Sequence, residues 1–181
     1  RDDGSCERTI QAHTDDITAV AVLPGGARFV SASFDMTAKL FTFGGELERT
    51  FEEDGLVGSV AALPDGVHFV VGLFCGALKL YHIDGTIVHV FEHDDVEEVL
   101  GHSDYVNALA VTRDGQHIIS GSRDGLVKVW SVATKSLVST CAGHAGTSVY
   151  RLDAVAAMPD SKRILSGGLD RTVRVWLLDG T

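Results

Sequence analysis

Apolar and polar residues alternate along this chain in short bursts, and no stretch sustains a helical period. Four bursts run into turns: Ala19-Val-Ala-Val-Leu-Pro-Gly-Gly26, Val60-Ala-Ala-Leu-Pro-Asp-Gly66, Ala108-Leu-Ala-Val-Thr-Arg-Asp-Gly115 and Ala154-Val-Ala-Ala-Met-Pro-Asp-Ser161. Pro presets the turn backbone, Asp hydrogen-bonds it, and Gly adopts the left-handed conformation that closes it. Downstream of each burst comes a second block, and the four blocks align column by column. They are Val30-Ser-Ala-Ser-Phe-Asp-Met-Thr-Ala-Lys-Leu-Phe41, Val70-Val-Gly-Leu-Phe-Cys-Gly-Ala-Leu-Lys-Leu-Tyr81, Ile119-Ser-Gly-Ser-Arg-Asp-Gly-Leu-Val-Lys-Val-Trp130 and Leu165-Ser-Gly-Gly-Leu-Asp-Arg-Thr-Val-Arg-Val-Trp176. A small or apolar opening, a basic tenth residue and an aromatic twelfth recur throughout. The closing aromatics are 40, 49 and 46 residues apart. This pattern predicts four strands per unit, each about 5 residues long, joined by tight turns.

A period of roughly 40–45 residues with four strands per unit marks a repeat architecture. Gly101-His102 with Asp124 and Trp130, and Gly143-His144 with Asp170 and Trp176, complete the pattern. On these motifs the sequence resembles the WD-repeat (WD40) family of β-propellers along essentially its whole length. Trp-Ser and Trp-Leu stand where the family usually has Trp-Asp. The resemblance implies an all-β propeller of four repeats, each a four-stranded antiparallel blade, forming part of a larger ring. Repeats are expected at about 12–52, 53–92, 101–142 and 143–181, with 1–11 as the outer strand of the adjoining blade. That ring would be completed by further repeats or by a second copy.

The family also implies a hydrogen-bonded set in each blade: a loop His, a strand Ser, a turn Asp and the closing Trp. The third repeat supplies His102, Ser120, Asp124 and Trp130, and the fourth His144, Ser166, Asp170 and Trp176. The first keeps His13, Ser31 and Asp35 but closes on Phe41, which has no donor. In the second, Val71, Cys75 and Tyr81 fill the Ser, Asp and Trp columns, so apolar packing is expected to hold a less rigid blade. In related propellers the partner-contact positions are the third and fifth residues after the His and the residue before the Asp. Carried over, these are Asp16, Thr18 and Phe34; Leu56, Gly58 and Phe74; Tyr105, Asn107 and Arg123; and Arg151, Asp153 and Leu169.

Composition narrows the function. With 15 Lys+Arg against 25 Asp+Glu the net charge is −10, and the scattered basic residues make no phosphate-binding surface, so nucleic acid is not expected as a partner. No apolar run reaches the roughly 18–20 residues of a membrane span, and membrane insertion is not expected. Cys6, Cys75 and Cys141, odd in number and far apart, suit a reducing, intracellular and cytoplasmic setting rather than a disulfide scaffold. No catalytic, metal or cofactor motif is present, and hydroxyls lying beneath an indole are badly placed for a nucleophilic triad. No cofactor is expected. The expectation is a non-catalytic scaffold for proteins or peptides; a passive structural subunit and a propeller enzyme are the weaker alternatives.

Acidic clusters at Glu52-Glu53-Asp54 and Asp94 to Glu98 read as solvated loops, the second able to steer a basic partner. His102, not His93, is expected to serve the third repeat, and His68, His82, His89 and His117 are expected at the surface. About nine extra residues near His93–Gly101 and about four within Thr147–Tyr150 lengthen two connections between repeats, on what is often a binding face.

Overall fold

The computed structural model describes residues 4–92, 101–144 and 151–181. Its described residues form antiparallel sheets and no helix. The first sheet runs β1 (Ile17–Val22), β2 (Arg28–Ser33), β3 (Thr37–Thr42) and β4 (Leu47–Glu52); the second runs β5 (Val57–Ala62), β6 (His68–Leu73), β7 (Leu78–His82) and β8 (Ile87–Phe91). The third contains β9 (Val106–Val111), β10 (His117–Ser122), β11 (Val127–Ser131) and β12 (Ser136–Cys141). The fourth contains β13 (Leu152–Ala157), β14 (Arg163–Gly168) and β15 (Val173–Leu177). Each sheet is a meander in sequence order, as short turns between neighbouring strands require. The fourth has three strands among the described residues, one fewer than the repeat pattern predicts.

Alternation along the strands gives each sheet two faces, and both are apolar in the middle sheets. Three clusters form the joints between sheets. Leu23, Val30 and Phe51 of the first sheet meet Val57, Phe69 and Tyr81 of the second. Leu78, Leu80 and Phe91 of the second meet Val106, Ile118 and Trp130 of the third. Ile119, Val129 and Cys141 of the third meet Leu152 and Ile164 of the fourth. Each fully buried side chain of this size contributes about 1.5–3 kcal/mol. The sheets are thus the blades of an open, partial propeller, stacked through their faces, with β1, β5, β9 and β13 innermost.

Polar bonds knit the same joints. Thr18 Oγ1 donates to the Val57 carbonyl at 2.8 Å, Ser59 Oγ to the Val106 carbonyl at 2.9 Å, and Asn107 Nδ2 to the Leu152 carbonyl at 3.3 Å. Every innermost strand also breaks register with its neighbour at one place: between Ile17 and Ala19, Val57 and Ser59, opposite Gly121 and Ser122, and between Leu152 and Ala154. The residue left out of the ladder is Thr18, Gly58, Asn107 or Asp153. A bulge of this kind re-aims the side chain it releases.

Candidate functional site

The bulged residues point where the blades converge. There Thr18, Gly58, Asn107, Arg151 and Asp153 line a groove of about 470 Å³ together with Phe34, Phe74, Tyr105 and Arg123. The last four come from turns between strands or from the loop before β9. An unbroken row of rings forms one wall. Phe34 meets Phe74 edge to face at 5.1 Å, Phe74 stacks on Tyr105 at 4.0 Å, and the Arg123 guanidinium lies 5.4 Å from the Tyr105 ring centre. Phe34, Phe74 and Tyr105 are each half-buried. Gly58 makes the row possible, because a Cβ there would lie 2.9 Å from the Phe74 ring and 2.8 Å from the Val106 carbonyl.

The contact positions carried over from related propellers therefore gather in one place. Asp16, Leu56 and Leu169 do not line the groove. The backbone carbonyls of Asp16 and Leu56 instead accept from Phe34 and Phe74 N–H at 3.0 Å, and Leu169 N–H donates to the Arg151 carbonyl at 3.0 Å. Thr18 and Asn107 reach the groove but spend their polar groups on the next blade. Arg151 pairs with Asp153 beside it. Arg123 approaches Asp104 at 4.0 Å.

Beneath the groove lie the polar sets that fix its loops. In the third blade His102 Nε2 lies 2.7 Å from Ser120 Oγ and Nδ1 lies 2.8 Å from Asp124, while Trp130 Nε1 donates to the same hydroxyl at 2.8 Å. In the fourth, His144 meets Ser166 and Asp170, each at 2.7 Å, and Trp176 Nε1 donates to Ser166 at 2.7 Å. The first blade holds His13 2.7 Å from Ser31 and 2.9 Å from Asp35, and Phe41 stacks on Phe29 at 5.3 Å in place of an indole bond. Burial pushes the Asp124 carboxyl up. Hydrogen bonds from His102 and from the Leu126 and Ser103 N–H groups outweigh that and hold it below the usual range. Asp170 is opposed by burial in the same way, yet bonds from Thr172 and His144 bring it down to about 2. With its oxygen taken by indole and imidazole, and fully buried, Ser120 presents no hydroxyl to a substrate.

The second blade differs from expectation. Apolar packing is present, but a polar link is there too. Tyr81 OH donates to Glu53 Oε1 at 2.8 Å, both residues being buried, and Lys79 Nζ lies 2.8 Å from Glu53 Oε2. Burial and the bond to Glu53 both push the Tyr81 phenol up. Burial pulls the Lys79 ammonium down, and Glu53 with Asp54 more than offsets this. Glu53 is thus no solvated loop residue. Its spacing offered the signal: it precedes Leu56 and Gly58 as His13 precedes Asp16 and Thr18. The phenol oxygen lies two bonds further from Cβ than an indole nitrogen and reaches Glu53 directly, so Val71 can stand where the other blades have Ser.

The four remaining histidines are half-buried rather than superficial. His68 bonds Asp65 at 2.7 Å and packs edge-on against His82 at 5.0 Å; His89 packs on Phe91 at 4.5 Å. His117 has a buried Nδ1 with no hydrogen-bond partner among the described residues. His93, Asp94 to Glu98 and Thr147 to Tyr150 lie outside the described residues, so the steering loop and most of both insertions do as well.

Stacked four-stranded blades with a His–Ser–Asp–Trp set and a convergent groove define an open β-propeller of interaction type. The sequence model of the family described as "WD domain, G-beta repeat" matches residues 4–42, 85–131 and 135–176. The chain belongs to the WD40 repeat family. Residues 43–84, between the matched regions, cover most of the blade that replaces the histidine set with Glu53, Lys79 and Tyr81. The chain is similar to "Ribosome biogenesis protein BOP1" of Homo sapiens, 50% identical over 40 residues, which is 22% of this chain and 5% of that protein. The Mus musculus protein of that name gives 50% over 40 residues, 22% of this chain and 6% of the relative. "Probable E3 ubiquitin ligase complex SCF subunit sconB" of Talaromyces stipitatus is 41% identical over 46 residues, 25% of this chain and 7% of the relative. The matches therefore span only a small part of each of these relatives.

Proposed function

We propose that this chain is a non-catalytic scaffold whose blade-convergence groove receives a segment of a protein or peptide partner. The row Phe34–Phe74–Tyr105 capped by Arg123 carries the reading. Aromatic and Arg side chains dominate binding hot spots because they bury large area at low entropic cost, and here they are fixed by one another before any partner arrives. Membership of the WD40 family supports the same class, as do relatives named for an assembly process and for a ligase-complex subunit. The free thiols of Cys6 and Cys75, both exposed, suit action inside the cell. A preference for basic partners would rest on Asp94 to Glu98. The groove itself offers two guanidiniums, so shape and aromatic contact set its selectivity.

The test is partner capture with the wild type and with Phe34→Ala, Tyr105→Ala and Arg123→Ala. At least one variant is expected to lose a partner while keeping its melting temperature within about 2 °C, the shift that about 0.5–1 kcal/mol produces in a chain of this length. Undiminished capture by all three variants, or losses that always accompany unfolding, would reject the groove.

A further inference from the structure

One cross-strand pair in the second blade has no counterpart in its neighbours. His68 of β6 stands directly opposite His82 of β7, where the other blades place Arg28 opposite Thr42, His117 opposite Ser131 and Arg163 opposite Leu177. The backbones do not bond each other at this pair. His68 N–H donates to Asp65 at 2.9 Å, the His68 carbonyl accepts from Leu63 N–H at 2.9 Å, and His82 N–H donates to the Thr86 carbonyl at 2.9 Å. Side chains stand closest at such non-hydrogen-bonded pairs, and the two imidazole centres are 5.0 Å apart.

Each ring has one nitrogen against a carboxylate and the other free. His68 Nδ1 lies 2.7 Å from Asp65 Oδ2, and His82 Nδ1 lies 3.0 Å from Asp84 Oδ1. Neither Nε2 has a hydrogen-bond partner among the described residues, and the side chains are 28% and 33% exposed, so both can be reached from solvent. Metal-ligating histidines show this arrangement because the carboxylate holds the proton on one nitrogen and leaves the lone pair on the other. Here it occurs twice, on facing rings. His82 Nδ1 also accepts from Asp84 N–H at 3.2 Å; a metal on Nε2 would put the ring proton on Nδ1, where the Asp84 carboxylate takes it. The spacing fits as well. A zinc ion on Nε2 lies about 3.2 Å from a ring centre, and a tetrahedral angle then sets two centres about 5.2 Å apart.

We propose that His68 and His82 chelate a divalent transition-metal ion of the zinc class, with Asp65 and Asp84 as positioning residues. Imidazole favours zinc, nickel and copper over magnesium and calcium. Among the described residues no group of three His, Cys, Asp or Glu side chains converges, so water fills the remaining positions and the ion exchanges with solution. Two carboxylates beside the rings balance its charge. Arg28, which shares a groove of about 330 Å³ with His82 and Asp84, is neutralised by Glu48 at 2.8 Å. The ion ties β6 to β7 in the blade that lacks the His–Ser–Asp–Trp set, and binding only the folded hairpin it stabilises that blade. Sequence spacing hides the site, since the two histidines are brought together by strand pairing alone.

The experiment is a zinc titration of the chelator-treated chain, read by calorimetry and by melting temperature. A Cys6→Ser, Cys75→Ser background removes the exposed thiols as competing ligands. One equivalent is expected to bind and to raise the melting temperature, while magnesium does neither. His68→Gln and His82→Gln are each expected to weaken binding at least tenfold, and the double variant to fall little further, because chelation needs both rings. His117→Gln, the lone imidazole in the same column, is expected to bind as the background does. In the chain with both histidines, the Cε1 proton resonances of His68 and His82 should shift together as zinc is added, a readout that stands even if a variant folds poorly. The absence of zinc binding overturns the proposal, as does binding that survives both substitutions. A response to only one of the two rings overturns it in favour of a single surface ligand.

Discussion

At the scale of single residues, the same mechanical task is solved here by two chemistries. Trp130 reaches a buried hydroxyl, and Tyr81 reaches a buried carboxylate. Each removal leaves a covered acceptor short of a donor, so Trp130→Phe and Tyr81→Phe are each expected to cost about 1–3 kcal/mol in chemical denaturation. A negligible loss for Tyr81→Phe, beside a clear one for Trp130→Phe, would mean that Lys79 alone holds Glu53. The turn carboxylates predict an acid limit. Asp124 and Asp170 are held below the ordinary carboxylate value, Asp170 at about 2. A folded-state value below the unfolded one means stabilisation that is complete above the unfolded pKa of about 3.9 and lost as the pH falls through the folded value. Asp170→Asn should therefore melt below wild type at pH 7, with the gap narrowing between pH 4 and pH 2. A gap of constant size across that window would show that the charge is not what matters.

Among the elements, the strand-connecting turns carry the sharpest constraint. The residue after the turn Asp column is left-handed in every repeat: Met36 at φ 62°, Gly76 at 91°, Gly125 at 81° and Arg171 at 64°. Glycine adopts this without a Cβ clash, whereas other residues are strained by roughly 1–2 kcal/mol. Arg171→Gly is accordingly expected to be neutral or slightly stabilising. Gly76→Ala should be severe, since its Cβ would fall 2.1 Å from the His102 carbonyl of the neighbouring blade. Comparable melting temperatures for the two variants would contradict this ranking. Turns and strand columns were readable in the sequence because Gly, Asp and Pro act locally and apolar alternation has a fixed period. The bulges at Thr18, Gly58, Asn107 and Asp153 were not readable, because a register break depends on two strands and has no residue of its own. Most contact positions carried over from related propellers reached the groove, but the stacking of Phe34, Phe74 and Tyr105 came from three different blades. The Glu53–Tyr81 link stayed hidden because a carboxylate in a histidine column looks like a solvated acid.

For the whole molecule, stability is a sum of blades and the joints between them, as in other repeat proteins. The two middle blades are covered on both faces; the fourth has one joint and three strands among the described residues. In the single chain, amide exchange should be fastest in β13–β15 and slowest in β6 and β10, whose Phe69, Val70, Ile118 and Ile119 are fully buried. Uniform protection over all the strands would instead indicate one cooperative unit. The two indoles of the chain turn this gradient into colour. Trp130 is buried in the third blade and Trp176 half-buried in the fourth, and each has its N–H held by a serine. Intrinsic fluorescence excited at the red edge of absorption is thus a two-channel lamp, silent about the first two blades. Loosening of the fourth blade would shift emission toward longer wavelengths while Trp130 still shone from its dry setting, and the second shift would come only when the third blade opened.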